Sequence, residues 1–220
     1  MKTIVGDLVG GRIILDETPI LSLVVEEPKA YFDLCSLAYT GFRGRKEFIS
    51  FLENDKEIEP EFVENLFWPD LNSKKNLNAL YKRLKQFGSE ELEGKLKAIR
   101  EAMKSVVLTM SMDFDGELIC NGDIKSEDLF KMFDLRFAED DLDGFSRLVR
   151  YISVSHELSK TSVFSLRGLH QCFSDEELDQ LGKEASYKRI NLVSFESTVP
   201  QKTGEFERVV IVDKDLCAIK

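Results

Sequence analysis

The chain has 220 residues, 43% of them hydrophobic and 32% charged, which is ordinary for a globular protein, and no apolar run approaches the ~20 residues a membrane helix needs. Forty Asp/Glu against thirty Lys/Arg leave it at net −10 with a pI near 4.9, so contact with a polyanion has to come from a localised basic surface. The start, MKTIVGDLVGG, has one lysine and then an acidic residue and glycines where a signal peptide needs a continuous apolar stretch, so a cytoplasmic protein is expected. Cys35, Cys120, Cys172 and Cys217 have no C-x-x-C spacing and read as reduced, mostly buried thiols. The length suits one main domain with an insertion.

The first 25 residues read as strands, with Arg12–Leu15, a turn at Asp16 to Pro19, and the β-branched run Ile20–Val25. A helix follows Pro28, with Tyr31, Phe32, Cys35, Leu37 and Ala38 at helical spacing and Gly41 at its end, and Glu47–Leu52 is a short strand candidate. The centre is helical. Leu77, Leu80, Tyr81, Leu84 and Phe87 line one face between Asn72 and Phe87, and a second helix from about Ser89 repeats Leu92, Leu96, Ile99, Met103, Val106 and Met110 as a heptad seam. That seam suits either a packed two-helix arm or a helix pair inside a core. After a polar, acidic break at 111–125, helices resume at Ser126–Phe133 and about Leu142–Leu158. The last 60 residues give strand Ser162–Leu166, helix Asp175–Lys188 with a Ser174/Glu177 capping box, strand Ile190–Phe195 and strand Arg208–Val212. This order predicts parallel strands joined by a crossover, hence an α/β fold with a sheet covered by helices.

Charge is sorted along the chain. Residues 73–104 hold nine Lys/Arg and four Asp/Glu, whereas residues 105–143 hold three and eleven. In the basic part, Lys74, Lys75, Lys82, Arg83 and Lys85 fall on the polar side of the first long helix, and Lys95, Lys97, Arg100 and Lys104 on the second. Helical spacing puts Lys75 and Lys82 on one stripe, which suits phosphate contact without base reading; a solvated helix face is the plain alternative. In the acidic part, Asp113, Asp115, Glu117 and Asp123 place hard oxygen donors in a short glycine-containing span that suits Ca²⁺ better than zinc or iron. It is no EF-hand loop, since Leu118 stands where the turn glycine belongs. Catalytic signals are few. His156 and His170 lie in no ligand pattern, and the Gly6–Ile13 glycines fail as a phosphate loop because Arg12 and Ile13 replace the lysine and hydroxyl and a strand follows, so a β-hairpin turn is expected there.

Several segments together resemble the CRISPR-associated adaptation protein of subtype II-A: Asp16–Ile20 to Val25–Lys29, Phe67–Lys75 through Leu80–Leu84, Ser111–Asp115, Asp128–Lys131, and the tail from Val163 through Phe173–Leu178 to Val210–Cys217. The resemblance implies a homotetrameric ring of nucleotide-hydrolase-like α/β heads without a nucleotide site (1–70 and 135–220), each with an inserted helical arm (71–134). It implies a non-enzymatic protein whose basic hole encloses double-stranded DNA, threading onto linear ends without sequence preference, and whose assembly depends on Ca²⁺. The role implied is spacer acquisition, with other CRISPR adaptation proteins and the RNA-guided nuclease of the same system as partners. Carried over residue by residue, Lys74, Lys75 and Lys82 fall on the DNA-facing helix and Asp113 and Asp115 in the calcium region. Ser111, Gly116 and Gly122 stand where members often have carboxylates. The competing classes are a helical interaction scaffold that uses the heptad seam and a degenerate nucleotide hydrolase.

Overall fold

The computed structural model describes residues 1–44, 48–87, 90–112, 125–138 and 141–219, with the side chains of 90–92 excepted. The chain divides into two compact units, one of residues 1–70 with 140–220 and one of residues 71–139.

In the first unit the elements run β1 (Lys2–Gly6), β2 (Gly11–Ile14), β3 (Ile20–Val25), α1 (Pro28–Thr40), β4 (Ser50–Glu53), β5 (Lys56–Ile58) and β6 (Glu61–Phe62). After the second unit's α2 (Lys74–Gln86), α3 (Glu90–Ser111) and α4 (Ser126–Met132), it resumes with α5 (Gly144–Ser159), β7 (Val163–Arg167), α6 (Leu169–Cys172), α7 (Asp175–Lys188), β8 (Asn191–Glu196), β9 (Glu207–Val212) and β10 (Ala218–Ile219). A six-stranded sheet has the order β10-β9-β3-β8-β7-β6, parallel throughout except for the β10 edge. A smaller antiparallel sheet has the order β2-β1-β4-β5. The fold is therefore mixed α/β, with a mostly parallel sheet flanked by helices.

Strand β3 is central because all six of its residues are buried, as a parallel strand covered on both faces requires. Its alternation sorts the two cores. Leu21, Leu23 and Val25 join Val193, Phe195, Val210 and Val212 against Leu34 of α1 and against Ile4, Ile13 and Phe51 of the small sheet. Ile20 joins Phe164, Leu166 and Leu192 against Leu148 and Ile152 of α5 and Leu178 and Leu181 of α7. Each such side chain contributes about 2 kcal/mol on burial. Lys2 links the small sheet to β8. Its ammonium donates to Arg189 O and Asn191 Oδ1, both at 2.8 Å, and burial depresses its pKa.

The glycines after β1 form the expected hairpin. Gly6 has φ +147° and a Cβ there would run into the Phe48 carbonyl, so the residue serves a backbone crossing and not a phosphate. At the next turn Glu27 caps α1, accepting from Ala30 N–H at 2.6 Å, and Gly41 (φ 100°) ends it. Helix α7 starts with the expected box: Ser174 Oγ accepts from Glu177 N–H at 3.3 Å, and the Glu177 carboxylate accepts from Ser174 N–H at 2.8 Å.

Some boundaries differ from expectation for local reasons. Helix α5 begins at Gly144 because Asp143 caps it, accepting from Ser146 N–H at 2.9 Å. Of the strand expected over Glu47–Leu52, Glu47 lies outside the described residues, and β4 runs Ser50–Glu53. Of the cysteines, Cys35 is buried and Cys217 exposed, while Cys120 lies outside the described residues. Along the α3 seam Leu96 is buried, but Ile99, Val106 and Met110 are 43%, 58% and 77% exposed, so within this chain the seam is largely uncovered.

Candidate nucleic-acid interface

The second unit is built on α2. Ser73 caps it, accepting from Asn76 N–H at 3.4 Å, and Tyr81 is its buried anchor. The Tyr81 ring meets Phe130 of α4 at 5.5 Å between centroids, and its hydroxyl donates to Leu135 O at 2.8 Å. Asn72 closes the unit's two ends, its amide donating to Phe137 O at 3.1 Å and its Oδ1 accepting from Phe137 N–H at 2.9 Å. Packing the apolar stripe of α2 onto α4 turns the polar stripe outward. Lys74, Lys75, Lys82 and Lys85 are exposed and Arg83 is partly covered.

These cations fall into two groups along α2. Lys74 and Lys75 occupy the first turn, where the free backbone N–H groups and the positive end of the helix dipole already favour an anion. Lys82 and Lys85 lie two to three turns on and face α4, where they line a groove of about 530 Å³ with Tyr81, Gln86, Glu127 and Lys131. Lys85 Nζ donates to Glu127 Oε1 at 3.0 Å. Glu127's own backbone N–H, and then the Lys85 ammonium, hold that carboxyl below its usual value. Sequence reasoning did not single out Lys131 and Glu127 as site residues; the signal was their spacing of four on a short helix. On α3, Lys95, Lys97 and Lys104 are exposed and Arg100 is partly so.

The two units differ in charge. Residues 71–139 carry twelve Lys/Arg and twelve Asp/Glu, whereas the remainder carries eighteen and twenty-eight, so the whole net −10 belongs to the α/β unit. The helical unit can therefore approach a polyanion without net repulsion of its own.

Asp113, Asp115, Glu117 and Asp123 lie outside the described residues. Among the described residues no group of three or more His, Cys, Asp and Glu is arranged to hold a metal ion.

In the α/β unit both histidines are occupied by structure. His156 Nδ1 lies 2.6 Å from Thr161 O, and His170 Nε2 lies 2.6 Å from Glu207 Oε1, which also accepts from Ser22 Oγ. The turn from β3 into α1, where an α/β nucleotide-binding protein holds phosphate on helix N–H groups, is Glu26-Glu27-Pro28. The Glu27 carboxylate takes the Ala30 N–H there, and it is held below its usual pKa by the Ala30 and Lys29 amides.

Together these features define an α/β protein with a helical insertion that carries a cationic groove. A family model described as CRISPR-associated protein (Cas_Csn2) matches residues 43–216, so the chain belongs to that family and its role is CRISPR-associated. No curated protein matches the chain. Among the described residues no helix is long and apolar enough to cross a membrane.

Proposed function

We propose that this chain is a non-enzymatic, cytoplasmic protein that binds double-stranded DNA through its helical unit. In this reading it assembles as a Ca²⁺-dependent homotetrameric ring that threads onto linear duplex ends during spacer acquisition. It would act beside the other CRISPR adaptation proteins and the RNA-guided nuclease of its system. The observation that carries the reading is the gathering of Lys82, Lys85 and Lys131 on one groove of the charge-balanced unit, with Lys74 and Lys75 on the same helix. Family membership supports the CRISPR setting. The Glu27 cap supports a head that takes no nucleotide, because a phosphate at that helix end would have to displace a bonded carboxylate.

Enclosure lets modest contacts suffice, because release requires sliding off an end, and symmetry repeats each basic cluster while the outer surface stays acidic. If each of four subunits neutralises two phosphates, log K against log salt falls with a slope of about −7. The test is a gel shift of linear against covalently closed circular duplex, with and without Ca²⁺. Retention of the linear form alone, and only with Ca²⁺, is the expected result; equal binding to both forms overturns the threading mechanism.

The exposed α3 side chains Ile99, Val106 and Met110 favour a second reading, a scaffold that engages a protein partner along the seam. Charge reversal at Lys74, Lys75 and Lys82 separates the two. It abolishes duplex binding in the first reading and leaves partner binding intact in the second.

A further inference from the structure

We infer that the groove between α2 and α4 is a seat for a single phosphate group, occupied in the free chain by the Glu127 carboxylate, which a phosphate must displace. The identity of the occupant as a DNA phosphate rests on the duplex-binding reading above; the seat itself rests on geometry.

Lysine side chains from two helices, Lys82 and Lys85 of α2 and Lys131 of α4, line a cavity of about 530 Å³. An anion already sits among them. Glu127 Oε1 accepts from Lys85 at 3.0 Å, yet its Oε2 is covered and, among the described residues, has no hydrogen-bond partner, although the side chain as a whole is 29% exposed. Glu127's own N–H and Lys85 favour the ionised carboxylate, but the oxygen left without a partner carries a desolvation penalty that a better-matched anion would not. Among the described residues neither Lys82 nor Lys131 forms an ion pair with a carboxylate within 4.0 Å, so two of the three cations are left for an incoming group. A tetrahedral phosphate presents oxygens in several directions and can meet all three ammonium groups, whereas the planar Glu127 carboxylate meets one. Binding then exchanges anions: Lys85 passes from carboxylate to phosphate, and Glu127 swings to solvent and recovers hydration for its orphaned oxygen. Glu127 thus sets a threshold, weakening occupation of the seat by any ligand too weakly charged to expel it.

The exchange has a signature that simple basicity lacks. Fluorescence anisotropy with a labelled linear duplex, run over a range of salt, compares the wild type with Glu127→Gln, Lys131→Gln and the control Asp134→Asn, whose carboxylate pairs with Arg136 at 3.3 Å in the same unit. Removing the resident anion in Glu127→Gln tightens binding about fivefold at low salt with the salt slope unchanged, because the same phosphate is seated without a carboxylate to displace. Lys131→Gln weakens binding by a similar factor, and Asp134→Asn changes it less than about twofold. Equal gains in Glu127→Gln and Asp134→Asn, or a loss in Glu127→Gln, overturn the seat. A parallel thermal-shift titration with inorganic pyrophosphate keeps the two claims apart. If the wild type ignores duplex DNA while pyrophosphate still stabilises Glu127→Gln and not Lys131→Gln, the nucleic-acid reading falls and the seat stands. If duplex binds but pyrophosphate does not discriminate between these variants, the seat falls alone.

Discussion

A buried carboxylate, Glu196, lies against the start of α6 in the α/β unit and shows how much a single residue can bias the whole chain. Glu196 is 1% exposed, accepts from Ser194 Oγ at 2.5 Å, and also faces the His170 and Leu169 amides. Burial outweighs these contacts and raises its carboxyl above the usual 4.5. A raised acid pKa means that the folded state holds the proton longer than the unfolded state, so this group's stabilisation is complete below the usual value and is lost as pH rises through the folded value. Glu196→Gln should therefore flatten a decline in melting temperature above about pH 4.5 that the wild type shows, read as the difference between the two Tm-against-pH curves. A difference that does not change with pH counts against the assignment. Residue-scale chemistry was unevenly legible. The lysines of α2 could be read because a thirteen-residue helix displays its polar stripe in sequence. The Lys85–Glu127 pair could not, because it spans 42 positions and α4, with seven residues, is too short to show a face.

Elements that satisfy their own ends were the ones sequence could bound. Strand β3 and helix α7 have the limits their residues announce, the first through an unbroken buried run and the second through its capping box. Ser174→Ala removes one half of that box and should lower unfolding free energy by about 1 kcal/mol, visible in urea titrations as a lower midpoint at unchanged m. An unchanged midpoint would show that tertiary packing alone fixes the start of α7. The pieces that escaped sequence reasoning, β5, β6, α6 and β10, have two to four residues each, too few for any periodicity. Pairing with a neighbour defines the strands, as when β6 lies parallel to β7. For α3 the heptad was legible, but what covers it was not, since periodicity specifies a stripe and says nothing of its partner.

For the whole molecule, both hydrophobic core clusters found among the described residues draw only on residues of the α/β unit, so the interior of that unit is complete without residues 71–139. A chain in which a short Gly/Ser linker replaces residues 71–139 should still unfold in one cooperative urea transition and should lose all duplex binding. Loss of the single transition would make the insertion part of the folding unit, and retained binding would move the DNA contact to the acidic unit. Fold class was readable at this scale from the strand and helix order of the last 60 residues, and the charge partition from counting alone.

The Glu27 cap bears on how such a molecule could change state. Molecular motors of the α/β type draw work from cleaving a fuel molecule lodged at the mouth of a helix, and here that mouth is plugged by the chain's own acid. If the chain clamps DNA as proposed above, opening and closure would then be set by the supply of its ions, its fellow subunits and free duplex termini.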